Sequence, residues 1–160
     1  MYIGDLHIHS RYSRATSRDL TPESLDFWAR RKGIHLVGTG DFTHPAWREE
    51  LKEKLKPAEE GLYVLDPDLR RGEDVPGSSV PRFVISGEIS SLLPGLEEAE
   101  ALSKKLETIG NIHSDGRPIL GLDCRDLLEI TLEICSRAIY IPAHIWTPHF
   151  SLFGAFSGFD

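Results

Sequence analysis

Two cysteines, Cys124 and Cys135, and a single methionine stand in 160 residues. The cysteines lack the paired spacing of a zinc knuckle and fall in a helical-looking segment, so both are expected to pack in a core. Nothing resembles a signal peptide, and no apolar run approaches a membrane span, so a cytoplasmic protein with no membrane partner is the expectation. A basic excess is also missing. Lys and Arg total 18 against 25 Asp and Glu, a formal net charge of −7. That balance excludes a nucleic-acid-binding surface spread over the whole chain and leaves room for a local basic patch. Internal repeats and low-complexity segments are absent. What remains is an ordinary globular composition, 40% hydrophobic and 27% charged, in a length that suits one domain, 1–160, with a real core. The closing stretch 150–160 carries Phe150, Phe153, Phe156 and Phe159 with no helix cap or polar tail, which reads as surface meant to be covered and the chain as a fragment of something longer.

Periodicity alternates between strand and helix. The segment Tyr2 to Leu6 is short and apolar and suits a buried strand. Thr21 and Pro22 predict an N-cap with proline at the first helical position; Leu25, Trp28 and Ala29 recur at helical spacing, and Gly33 ends that helix. Residues 34–38 form a second strand. A helix from Pro45 to Leu55 carries Trp47, Leu51 and Leu55 on one stripe. Residues 61–65 read as a minor strand, 66–81 as loop, and Arg82 to Glu88 as a strand. Two helices, 96–109 and 123–135, precede a strand from Ala138 to His144. This order predicts an α/β fold with a mainly parallel sheet, as an open sheet or a barrel.

The chemistry collects at strand ends. His7 and His9 follow the first strand, Asp41 the second, Glu88 the third and His144 the fourth. In α/β folds the C-terminal strand ends form the active-site rim, and mixed imidazole and carboxylate ligands suit Zn²⁺, Mn²⁺ or Fe. A carboxylate ending an apolar strand is costly to bury unless paired or coordinated, which favours Glu88 as a ligand. His44 is a weaker candidate at a helix start, and His35 is structural. His113, Asp115 and His149 read as solvated loop residues. Arg11, Arg14 and Arg18, beside Ser13, Thr16 and Ser17, follow His9 directly and are candidates to grip phosphate oxygens. Divalent ions at such a cluster activate water and stabilise phosphoryl displacement, so phosphoester hydrolysis is the favoured reaction, with Asp41 and Glu88 as catalytic carboxylates.

The segments Asp5-Leu6-His7-Ile8-His9-Ser10, Gly38-Thr39-Gly40-Asp41, Ser86-Gly87-Glu88 and Pro142-Ala143-His144 resemble the motifs of the polymerase-and-histidinol-phosphatase (PHP) superfamily. The stretches 13–17, 38–45, 86–91, 109–118 and 141–148 resemble its endonuclease Q branch more closely. The resemblance implies a PHP-type distorted β/α barrel, TIM-like, of which this chain is the N-terminal part. It implies a DNA-repair endonuclease nicking 5′ of deaminated bases or abasic sites, with damaged DNA as partner. It also implies metal ligands at His7, His9, Glu88 and His144, with Asp41 where many members have a histidine. Two or three divalent ions, Zn²⁺, Mn²⁺ or Mg²⁺, would fill a complete site. Two departures stand out: the segment after Ser91 is short, and a later Asp-Ala-His motif is missing, so this polypeptide alone is not expected to be fully active. A small-molecule PHP phosphatase or phosphodiesterase, or a non-catalytic metal-binding fragment, are the alternatives.

Overall fold

Chain entry into the first helix follows from local chemistry alone. Thr21 caps helix α1 (Pro22–Lys32) by accepting from the Ser24 backbone N–H, Pro22 occupies the first turn, and Gly33 closes the helix in the left-handed region at φ 69°. The computed structural model describes residues 1–73, 75–88, 91–149, 151 and 153–156. The remaining elements are strands β1 (Gly4–Asp5) and β2 (Leu36–Gly38), helix α2 (Pro45–Lys54), and strands β3 (Leu55–Pro57), β4 (Tyr63–Leu65), β5 (Arg82–Gly87) and β6 (Ser91–Leu93). They are followed by helices α3 (Leu96–Glu107) and α4 (Cys124–Ile134) and strand β7 (Ile139–Tyr140).

The sheet runs β1-β2-β5-β4-β3, with β6 joined to β5 and β7 to β6. Only β1, β2 and β5 are mutually parallel; β3, β4, β6 and β7 pair antiparallel. The expected mainly parallel sheet is therefore corrected to a mixed one. For two of the antiparallel pairs the reason is connection length, since a parallel neighbour needs a long crossover. The turn between β3 and β4 and the step from β5 to β6 are each a few residues, which permits only an antiparallel return. Strand β1 is corrected too. It is only Gly4–Asp5, both exposed at the sheet's edge, and Tyr2 and Ile3 before it are 88% and 47% exposed. Trp28, read as part of a helical stripe, is 55% exposed.

The core lies between the sheet and helices α2 and α3. Val37, Phe83 and Ile85 of the strands meet Phe42, Trp47, Leu51, Leu102 and Leu106, and Cys135 is buried among them. No helix among the described residues is long and apolar enough to cross a membrane. Part of the phenylalanine-rich stretch 150–160 lies outside the described residues; Phe153 and Phe156 are exposed.

Candidate metal centre

Strands β2 and β5 end side by side, and their ends are tied together. The Ser86 backbone N–H donates to the Thr39 hydroxyl at 3.1 Å, and the Gly40 N–H donates to the Ser86 hydroxyl at 3.0 Å. Trp47, fully buried beneath, donates its indole N–H to the Thr39 and Gly40 carbonyls at 3.2 and 2.9 Å. Gly40 is obligatory here. Its φ is +64°, and a Cβ would run into the Ile8 carbonyl. This close approach brings the segment carrying His7 and His9 onto the turn that carries Asp41. His7 and His9 lie past the end of β1.

His7, His9, Glu88 and His144 converge. The Nε2 atoms of His7, His9 and His144 lie 3.8, 3.2 and 2.7 Å from the Glu88 carboxylate oxygens. The donor atoms of His7, His9 and Glu88 all fall within 4.8 Å of one another, and the His7 and His144 rings meet edge-on at 4.7 Å. A cavity of about 90 Å³ opens beside them between Leu6, Ile8, Gly87 and Ala143. Asp41 and His144 both hold positive φ, 48° and 51°, a conformation that costs a non-glycine residue roughly 1 kcal/mol or more and that concentrates at functional sites.

Asp41 is fully buried and reaches the cluster through His9. Its Oδ1 lies 3.1 Å from His9 Nδ1, while Oδ2 accepts from the Ser10 backbone N–H at 2.5 Å, the Ser10 hydroxyl at 2.7 Å and the Ser13 hydroxyl at 2.9 Å. Burial pushes the Asp41 carboxyl up, but these hydrogen bonds outweigh it and hold the pKa below the ordinary value. The bond to Asp41 in turn raises the His9 pKa. An ionised carboxylate can only accept, so His9 Nδ1 carries the proton and a neutral His9 turns the Nε2 lone pair toward Glu88. Glu88 Oε2 is shielded and has no hydrogen-bond partner. A neutral His9 and the Glu88 carboxylate would face each other as two acceptors at 3.2 Å, a pair that a bound cation satisfies, and the imidazole and carboxylate donor set suits a divalent transition ion.

Several other candidates have different partners. Arg11 is held by Glu50 at 2.7 Å, and Glu50 also binds Lys54 at 2.8 Å. Arg18 is exposed. His44 stacks on Tyr12 at 4.5 Å with its Nε2 near the His113 carbonyl; His113 pairs with Glu107, and His149 stacks on Phe156. His35 contacts Tyr2 and accepts from the Ile3 N–H, a structural role.

One reading is corrected. Asp115, expected on a solvated loop, is only 6% exposed, because it accepts from the Arg14 backbone N–H at 3.3 Å and from the Arg117 backbone and side chain at 3.0 and 3.1 Å. Burial raises its pKa, but these bonds win and hold it at about 2, below the ordinary 3.8. A depressed carboxyl contributes stability that is present above pH 3.8 and lost as pH falls toward 2. The Asp115→Asn variant should therefore melt below the wild type near neutrality, and the gap should close across that acid window. Thermal melts at stepped pH check this; a gap constant down to about pH 2 would refute it. Arg117 was missed altogether, although an Asp two positions before an Arg is the one local signal of the pair.

No family model matches the chain. It is 31% identical over 145 residues to the uncharacterized protein MJ0043 of Methanocaldococcus jannaschii, a match covering 90% of this chain and 16% of that protein. The structure superposes on the lesion-specific endonuclease PfuEndoQ from Pyrococcus furiosus with a TM-score of 0.78 at 31% identity, over 94% of this chain and 36% of that one. A second similar structure is an endonuclease Q complex with a 27-mer duplex substrate bearing an abasic lesion at the active site; its TM-score is 0.77 at 30% identity, again over 94% and 36% of the two chains. The chain thus has an endonuclease Q-like fold and spans well under half the length of each of these proteins.

Proposed function

We propose that this chain carries the metal-binding part of a DNA-repair endonuclease that nicks phosphodiesters beside deaminated bases or abasic sites, on the 5′ side. The observation that carries the reading is the convergence of three imidazoles on Glu88, whose Oε2 has no other partner, inside a fold shared with lesion endonucleases. The mixed sheet is read as part of a PHP-type distorted barrel, and His7, His9, Glu88 and His144 as the residues that would hold divalent ions. Such an ion supplies water activation and charge stabilisation for an in-line displacement at phosphorus. Glu88 contributes the central negative charge, three histidines surround it, and Asp41 fixes the tautomer and orientation of His9.

Incubating the protein with Mn²⁺, Zn²⁺ or Mg²⁺ and a duplex containing one abasic site or deoxyinosine tests the reading. A single nick 5′ of the lesion is expected, with no cut in the undamaged duplex. The net charge of −7 favours a small-phosphoester hydrolase as the second reading. Turnover of p-nitrophenyl phosphate or a sugar phosphate alone would select it and sink the first. Metal binding without turnover of any of these substrates would select the non-catalytic fragment.

A further inference from the structure

The loop from Asn111 to Ile119 is a closed unit. Its ends pair through two backbone bonds, Asn111 N–H to Ile119 O at 2.9 Å and Ile119 N–H to Asn111 O at 2.8 Å, and the Asn111 side chain accepts from the His113 and Ser114 N–H groups. Its tip presses on the metal-centre scaffold. The Gly116 N–H donates to the Tyr12 carbonyl at 3.1 Å, and a Cβ on Gly116 would collide with the Asp41 carboxylate and the Ser13 hydroxyl. Glycine is needed at this position for the loop to lie so close. Arg117 is the next residue, so it springs from backbone that lies directly against Asp41 and Ser13. The Arg117 pKa is raised, first by its hydrogen bond to Asp115 and further by the charges of Glu88 and Asp41.

Asp115 holds that guanidinium from the side. Arg117 Nε donates to Oδ1 at 3.1 Å and Nη2 to Oδ2 at 3.4 Å. The Nη1 atom has no hydrogen-bond partner among the described residues, and the side chain is 43% exposed. Asp115 also draws in Arg14, whose Nε lies 3.6 Å from Oδ2 and whose side chain is 74% exposed. One buried carboxylate therefore carries two guanidiniums, which leaves an excess positive charge on this loop. In a chain of net charge −7, a fixed cationic fork at this point is not a generic basic surface.

We infer that Arg117, held by Asp115 and flanked by Arg14, is a phosphate-binding residue at the metal centre, gripping a backbone phosphate of the nucleic-acid substrate through its free Nη1 edge. The inference rests on the phosphodiesterase reading above and adds a residue outside the ligand set. Asp115 is a positioning residue that acts through Arg117.

The test uses the metal-loaded protein, with inorganic phosphate and the abasic duplex as probes, and the variants Arg117→Ala, Arg117→Lys and Asp115→Asn. Arg117→Ala should raise KM, and Kd for phosphate, by about ten- to a hundredfold, the effect of a lost charge-assisted hydrogen bond. It should also reduce the slope of log affinity against log salt by about one phosphate contact. Arg117→Lys should recover the slope while keeping part of the KM defect. Asp115→Asn should raise KM in the same direction, and the double variant with Arg117→Ala should be no worse than Arg117→Ala alone. Wild-type KM and salt slope in a folded Arg117→Ala, judged by circular dichroism, would overturn the inference, as would a fully additive double variant. If the wild type ignores DNA but binds inorganic phosphate through Arg117, the phosphate site stands and its assignment to a nucleic-acid backbone fails with the DNA reading. If it binds neither probe, both fail.

Discussion

Replacing Glu88 by glutamine should cut lesion cleavage by at least about a thousandfold while leaving the fold in place. Glu88 is where the site closes: His7, His9 and His144 each reach its carboxylate within 3.8 Å, from two separate stretches of chain. Gln keeps the volume and removes the charge. Losing the anionic member of a site of this type removes several kcal/mol of charge stabilisation, and about 4 kcal/mol corresponds to a thousandfold. The fold should tolerate the change because Glu88 Oε2 makes no hydrogen bond that an amide would break. The measurement is the rate of 5′ nicking on an abasic duplex, with circular dichroism as the control. A Glu88→Gln variant that cleaves at the wild-type rate would contradict the assignment.

Trp47→Ala should be the most destabilising single change in the site's support. Trp47 is fully buried, and its indole N–H satisfies the Thr39 and Gly40 carbonyls. Large-to-small truncation of a core aromatic costs about 3–5 kcal/mol, which for a chain of this size lowers Tm by roughly 10–15 °C. Trp47→Phe retains most of the bulk and should cost about 1 kcal/mol, the net worth of the lost hydrogen bond. Because the same turn carries Asp41, the alanine variant should also loosen His9 and weaken metal binding well below its own melting range. Thermal melts with and without added Zn²⁺ read both effects. A Trp47→Ala protein melting within about 2 °C of wild type would show that the turn is held by something else.

The elements most legible in the sequence are those whose signals are local. Thr21, Pro22 and Gly33 fix both ends of α1 within one turn of themselves, and Asp123 caps α4 by accepting from the Arg125 N–H. Leu55-Lys56-Pro57 carries no such signal. Leu55 reads as the end of a helix and Lys56 and Pro57 carry no strand pattern, so the three become strand β3 only by pairing with Tyr63 to Leu65. Ser91 to Leu93 likewise becomes a strand through β5 and β7.

The same division runs through the site. His7, His9, Glu88 and His144 were recognisable because each sits just beyond an apolar run. The role of Asp41 depends on hydroxyls 28 and 31 positions earlier, and the burial of Asp115 on an arginine 101 positions away. Neither spacing leaves a periodic trace. The left-handed backbone of Asp41 and His144 is equally invisible, since neither residue type demands it.

The account stands on the claim that His7, His9, Glu88 and His144 form a metal centre, and metal binding tests it more directly than activity does. The protein is stripped with chelator, dialysed against Zn²⁺ or Mn²⁺, passed through a desalting column and assayed for bound metal, beside His9→Ala. The wild type should retain at least about one ion per chain and His9→Ala far less, with the two proteins folded alike. Equal retention in both, or none in the wild type, would contradict the claim.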